Sequence, residues 1–273
     1  MIKISLSIFF IAILSFENIF PDKQDVIFNH YSKTFLNDTL PPPFATRSKR
    51  NYSKVIGWHN GKTPIAPAGF IVAKFADHLD NPRWIYVAGN GDIFVSESNT
   101  VLKGIVKFGA GISRKIKTQH YGSSANRITM FRDSNKDGVY ERRYVFAEGL
   151  NQPFGMLILN NHFYVANTDA LLQFNYKTGD TALKGDGKPI VILPGEGYNN
   201  HWTRNIITNR SGDKIYITVG SGSNAAEHGI DEETGRANIL EVNVDGSNKK
   251  IYASGLRNPV GMDWAPGTNI LWT

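Results

Sequence analysis

A heptapeptide of the form Gly-Leu-x-x-Pro-x-Gly occurs twice in this chain of 273 residues. It reads Gly149-Leu150-Asn151-Gln152-Pro153-Phe154-Gly155 and Gly255-Leu256-Arg257-Asn258-Pro259-Val260-Gly261, each ahead of a strand-like apolar stretch. The copies are separated by about twice the roughly 40 to 50 residues of one four-stranded propeller blade. A degraded copy lies between them. There Asn200-His201-Trp202-Thr203-Arg204-Asn205-Ile206-Ile207 leads through Ser211-Gly212-Asp213 into the strand-like Lys214 to Val219. An earlier copy runs from Leu79-Asp80-Asn81-Pro82 through Ile85-Tyr86-Val87 and Gly89-Asn90-Gly91-Asp92 into Ile93-Phe94-Val95. Each unit reads as polar turn, inner strand, hairpin and second strand. The hairpins at Gly89 to Asp92, Asn160-Asn161, Ser211 to Asp213 and Pro266-Gly267-Thr268 carry residues that tolerate positive φ, as tight strand reversals need.

Aromatic and β-branched residues are plentiful, and no long apolar stripe of helical period is present, which together predict an all-β chain with little helix. The repeat length selects a β-propeller, with about four blades in residues 69–273. The start Met1-Ile2-Lys3, followed by an apolar run from Ile4 to Phe16, has the charged and apolar regions of a secretory signal. Residues 1–20 are therefore expected to be a signal peptide or an uncleaved anchor, and the protein to be periplasmic or secreted. With no cysteine, the chain has neither disulfides nor a thiol nucleophile. Residues 21–68, centred on Pro41-Pro42-Pro43, read as a linker or external strap. The net charge of +6 is dispersed, apart from small clusters at Arg47 to Arg50 and Arg114 to Lys117, and no nucleic-acid motif accompanies it.

In a propeller the turns entering the innermost strands lie at one mouth of the central channel, so equivalent repeat positions converge. Alignment on the prolines puts Asn81, Gln152 and Asn258 at one position, with Asp80, Asn151 and Arg257 just before them; His201 and Trp202 fall there within about a residue. Such a ring suits a polar small molecule. His201 has the proton affinity of a general base near neutrality, or it could bond only to neighbouring loops. Arg257 and Asn258 could hold carboxylate or quinone oxygens, or could bridge blades. Gln152 could meet a substrate or cap its turn.

Other motifs give weaker chemistry. Asp133-Ser134-Asn135-Lys136-Asp137-Gly138 has the first half of a calcium loop with Glu141 as a late ligand, yet Tyr144 stands where the bidentate glutamate belongs. An Asx-rich turn accounts for the same residues. Gly220-Ser221-Gly222-Ser223 follows a strand as an ordinary turn would and lacks the following helix of a hydrolase elbow. The remaining histidines, among them His59, His78, His120, His162 and His228, show no zinc spacing. No metal ligand is assigned.

The segments Asn199-Asn200-His201-Trp202-Thr203-Arg204-Asn205, Ile215 to Ser221, Arg236-Ala237-Asn238-Ile239 and Ala253 to Gly261 resemble the glucose/sorbosone dehydrogenase family over roughly Ala76 to Thr273. That resemblance implies a six-bladed propeller using pyrroloquinoline quinone (PQQ) and calcium to oxidise a sugar or sugar aldehyde, sorbosone- or aldose-like, with an electron acceptor still to be identified. It implies His201 as the catalytic base, Arg257 and Asn258 as cofactor contacts and Gln152 on the substrate side. Glucose-oxidising relatives carry an aspartate at the position of Ser221, so the imidazole is expected to be less well held and less basic here. The family's calcium loop would lie beyond Thr273, which falls within an expected second strand, so the sequence is expected to be part of a longer product. Two other readings remain open: a non-catalytic exported propeller that binds carbohydrate or protein, and a lactonase-like hydrolase.

Overall fold

Strand reverses into strand wherever the sequence clusters Gly, Asn and Asp. The computed structural model describes residues 56–58, 61–101 and 121–273. The expected signal segment, most of the proposed strap, both basic clusters, His59 and His120 lie outside the described residues.

The strands are β1 (Pro82–Val87), β2 (Ile93–Glu97), β3 (Arg127–Arg132), β4 (Arg142–Ala147), β5 (Met156–Leu159), β6 (His162–Ala166), β7 (Ala170–Asn175), β8 (Lys188–Ile192), β9 (Ile206–Thr208), β10 (Lys214–Val219), β11 (Asn238–Asn243), β12 (Lys250–Ala253), β13 (Asp263–Trp264) and β14 (Leu271–Trp272). They form three four-stranded antiparallel sheets, β1 to β4, β5 to β8 and β9 to β12, each in sequence order, and the two-stranded start of a fourth, β13 and β14. This is the meander of propeller blades, and the all-β expectation holds. Among the described residues the sole helical segment is a 3-10 turn, Ile230–Glu233.

The expected hairpins are where the sequence put them. Asn160 and Asn161 both take positive φ, 50° and 59°, as a two-residue type I′ reversal requires. The heptapeptide also has a backbone identity. Gly149 (φ 71°) and Gly255 (φ 77°) open their copies in the left-handed region, and His78 (φ 53°) does so ahead of Leu79.

Alternation along each strand then builds the core between blades. In β6, Phe163 and Val165 face the first blade and join Phe94, Ile128, Met130, Phe146, Met156 and Phe174. Tyr164 and Ala166 point the other way, into a layer with Leu171, Val191, Ile206, Ile215, Ile217 and Val219. One residue further along β10, Tyr216 packs with Ile239 and Met262 against Trp264 and Leu271 of the fourth sheet. A central strand buried on both faces therefore cements two interfaces, and its register fixes which residue serves which.

Candidate functional site

The first and third blades are separated by the second, yet their loops touch. Trp202, in the turn before β9, donates its indole N–H to Thr100 Oγ1 after β2 (2.9 Å), and the Arg83 guanidinium lies 5.2 Å from the indole ring centroid. The second blade joins through Gln152, whose Nε2 donates to the Asn99 carbonyl (2.8 Å). Contact between non-neighbouring blades places these turns at the channel mouth. The ladder also settles the third copy's alignment. The Thr218 N–H bonds the Asn205 carbonyl as the Ala166 N–H bonds that of Gly155, both at 2.9 Å. Counting back, Trp202 stands at the position of Gln152, and His201 at that of Asn151 and Arg257.

His201 is half-buried, and its Nδ1 lies 3.0 Å from the Ser221 carbonyl oxygen and 2.8 Å from Ser221 Oγ. A carbonyl only accepts. The Ser221 hydroxyl hydrogen is already given to the Ser223 carbonyl at 2.6 Å, so Oγ also meets the imidazole as an acceptor. Nδ1 therefore carries the proton, and Nε2 keeps its lone pair. Burial, then the positive charge of Arg257, lowers the His201 pKa from its ordinary value. With serine in place of the aspartate, the ring is held by two acceptors on Ser221.

Arg257 and Asn258 come to this histidine from the turn before β13. The Ser221 N–H donates to the Arg257 carbonyl (2.8 Å), tying that turn to the end of β10. Arg257 is exposed; its Nε donates to the Asn224 carbonyl (3.0 Å) and its Nη2 to Asn224 Oδ1. Asn258 Oδ1 is buried without a hydrogen-bond partner. Gly220 permits the approach, since a Cβ there would stand 2.6 Å from His201 Cβ and 2.7 Å from Asn258 Oδ1.

Behind the histidine sits Arg204, which sequence reasoning passed over as part of a motif. It is fully buried and donates to the carbonyls of His201 (2.7 Å), Thr203 (3.0 Å) and Pro194 (2.8 Å) and to Asn199 Oδ1 (3.2 Å). Burial pulls its pKa down to about 9, so it stays charged at neutrality. It pins the His201 backbone. A charge lodged between Trp202 and the apolar start of β9 was the available signal. Asn224 and Glu233 were missed too, because their contacts are made across loops with no periodic trace.

The other candidates have structural partners. Gln152 is buried, with Nε2 committed to Asn99. Asp133 accepts from the backbone N–H groups of Lys136 (2.6 Å), Asp137 (3.3 Å) and Gly138 (2.7 Å), the Asx-turn pattern. Among the described residues no group of three or more His, Asp or Glu converges as a metal-ligand set. His162 lies in β6, and His228 packs on Tyr198 with ring centroids 4.0 Å apart.

One mouth of this partial propeller thus gathers an oriented imidazole, an arginine and an unpaired buried amide oxygen. Residues 64–273 match the model of the TrAA12-like family, and the chain belongs to that family. The fold is similar to the holo PQQ domain of pyranose dehydrogenase from Coprinopsis cinerea: TM-score 0.51, 18% identity, over 70% of this chain and 42% of that one. It is also similar to a carbohydrate-active enzyme of family AA12 from Trichoderma reesei, with TM-score 0.52 and 14% identity over 73% of this chain and 46% of that one. An uncharacterized protein of Borreliella burgdorferi is 24% identical over 215 residues, 76% of this chain and 47% of that protein. The chain thus spans about half the length of the relatives it matches.

Proposed function

We propose that this chain carries the proton-accepting part of a PQQ-dependent oxidoreductase acting on a sugar or sugar aldehyde, sorbosone- or aldose-like, with His201 as general base. The observation that carries the reading is the imidazole with Nδ1–H held by Ser221, beside Arg257, Asn224 and Asn258. A planar quinone with three carboxylates needs a cation and polar atoms without competing partners. Arg257 supplies the cation, and the orphaned Asn258 oxygen, an acceptor, would meet an N–H or O–H donor of the cofactor or substrate and not a carboxylate, so the residues present suit such a group through Arg257. When bound, the quinone supplies the acceptor of the substrate's hydride.

The chain's own side chains do the rest. Nε2 of His201 takes the proton of the substrate hydroxyl, and Arg257 stabilises negative charge at the mouth. Gln152, whose nitrogen is engaged, would meet a substrate through its amide oxygen. Export through residues 1–20, a strap over 21–68 and a calcium ion held with the cofactor belong to the same proposal.

Addition of PQQ and calcium to the purified full-length protein should give a quinone absorbance change and dye reduction with a sugar aldehyde. His201→Gln should keep the absorbance change and lose turnover by about 100-fold or more, the range of a missing general base. Full turnover in that variant would remove the histidine from the mechanism. No absorbance change in the parent protein would favour the binding-module reading.

A further inference from the structure

The hydroxyl that faces the histidine is itself held from behind. Glu233, in the 3-10 turn between β10 and β11, accepts the Gly222 N–H on Oε2 (2.6 Å) and the Ser223 N–H on Oε1 (2.9 Å), and the Ser223 hydroxyl also donates to Oε1. Ser223 returns its carbonyl to the Ser221 hydroxyl, which leaves the Ser221 lone pairs for Nδ1–H. We propose that Glu233 is the positioning residue for His201, setting its tautomer and ring plane through Ser223 and Ser221. This deepens the reading of His201 as base and rests on it.

The tautomer of His201 depends on where one hydrogen goes. If the Ser223 carbonyl moves away, the Ser221 hydroxyl is free to donate to Nδ1. The Nε2–H tautomer then competes with the Nδ1–H form that the Ser221 carbonyl alone still favours, and in it the basic lone pair faces Ser221 instead of a substrate. Within the turn the Ser221 carbonyl, 3.0 Å from Nδ1, and the Asn200 N–H on the Gly222 carbonyl (2.9 Å) oppose this only in part, because Gly222 has no side chain to restrict the Ser223 end. A Cβ at Gly222 would stand 2.7 Å from the Tyr198 carbonyl, so this freedom cannot be removed by a larger residue. The three donors gathered on Glu233 supply the missing restraint.

The carboxylate is suited to that work. Burial opposes its charge, but the Ser223 hydroxyl and the two backbone N–H groups hold its pKa below the ordinary value, so it remains an acceptor through the neutral range. Its negative charge also favours the imidazolium that forms when His201 takes a proton, against burial and Arg257. Where glucose-oxidising relatives carry an aspartate, this chain has Ser221 with the Glu233 carboxylate behind it at two removes.

Isotope-labelled histidine NMR on the purified protein without added cofactor tests this. The parent protein should show the Nδ1–H tautomer of His201 at neutral pH. Glu233→Gln puts an amide nitrogen against N–H and O–H donors, so a population of the Nε2–H tautomer should appear and the His201 titration midpoint should move to lower pH. Glu232→Gln, a change at the exposed neighbour, should match the parent. Ser223→Ala keeps both backbone bonds to Glu233 and should show a smaller tautomer change; it decides the question if Glu233→Gln does not fold. Turnover of His201→Gln in PQQ-loaded protein tests the base separately, so that either idea can fail alone. An unchanged tautomer and midpoint in folded Glu233→Gln, or an unchanged tautomer in Ser223→Ala when that variant must decide, would overturn the positioning role.

Discussion

At Gly220 the backbone passes so close to His201 and Asn258 that there is room for a hydrogen and not for a methyl. Gly220→Ala should therefore leave the blades folded while forcing imidazole and amide apart. A displacement of about 1 Å at reacting groups can cost 100-fold. The expected result is a turnover loss of that order together with a lowered thermal midpoint, because the clash is with His201 Cβ and its backbone oxygen and overpacking costs about 1–3 kcal/mol, read by dye reduction and calorimetry. Arg257 gives a second test. Its positive charge disfavours a protonated His201, so burial and Arg257 together put the histidine titration below the ordinary imidazole value of 6.5. Removing the charge in Arg257→Gln weakens that opposition and must raise the midpoint. An NMR titration of the cofactor-free protein should show it higher than in the parent. His201, Arg257 and Asn258 were legible because repeat register alone brings them to one mouth. The direction of the Ser221 hydroxyl was not legible, since it depends on a carbonyl two residues away.

Single strands carry the stability of this fold, because a central strand serves two interfaces. Phe163 is fully buried in β6, with its ring centroid 5.0 Å from those of Phe94 and Phe146 and 5.7 Å from that of Tyr176. Removing a buried phenyl ring typically costs about 3–5 kcal/mol. Phe163→Ala should lower the urea midpoint accordingly, without a change in slope if the blades still unfold together. Strand order could be read in advance from the turns, as the left-handed Asn160-Asn161 pair and Gly91, Gly212 and Gly267 show. The sharing of alternate residues between successive blades is a weaker sequence signal. Both faces of β6 and β10 are largely buried, with Tyr164, Tyr216 and Thr218 on the more polar side, so polarity does not show which blade each face meets.

Across the whole molecule, the mouth is assembled from contacts that connect blades to one another. Trp202 and Thr100 lie 102 residues apart and Gln152 and Asn99 53 apart, and neither pair leaves a pattern in the sequence. The heptapeptide glycines show the same dependence on neighbours. A Cβ at Gly155 would meet the Ile206 backbone nitrogen at 2.7 Å, whereas one at Gly261 would meet nothing within 4 Å. The repeat thus predicts a turn, and the neighbouring blade decides what that turn touches.

The backbone bond from Ser221 N–H to the Arg257 carbonyl links the end of β10 to the turn before β13. It can break only when that turn lifts, whereas an amide inside β10 such as Ile217 is held by the sheet ladder. Deuterium uptake at Ser221 is then a clock for the opening of the mouth, independent of global unfolding. It should run faster than at Ile217 in the free protein and slow sharply when a ligand bridges the two sides. Equal uptake at both amides would mean that the mouth opens only as the sheet itself comes apart.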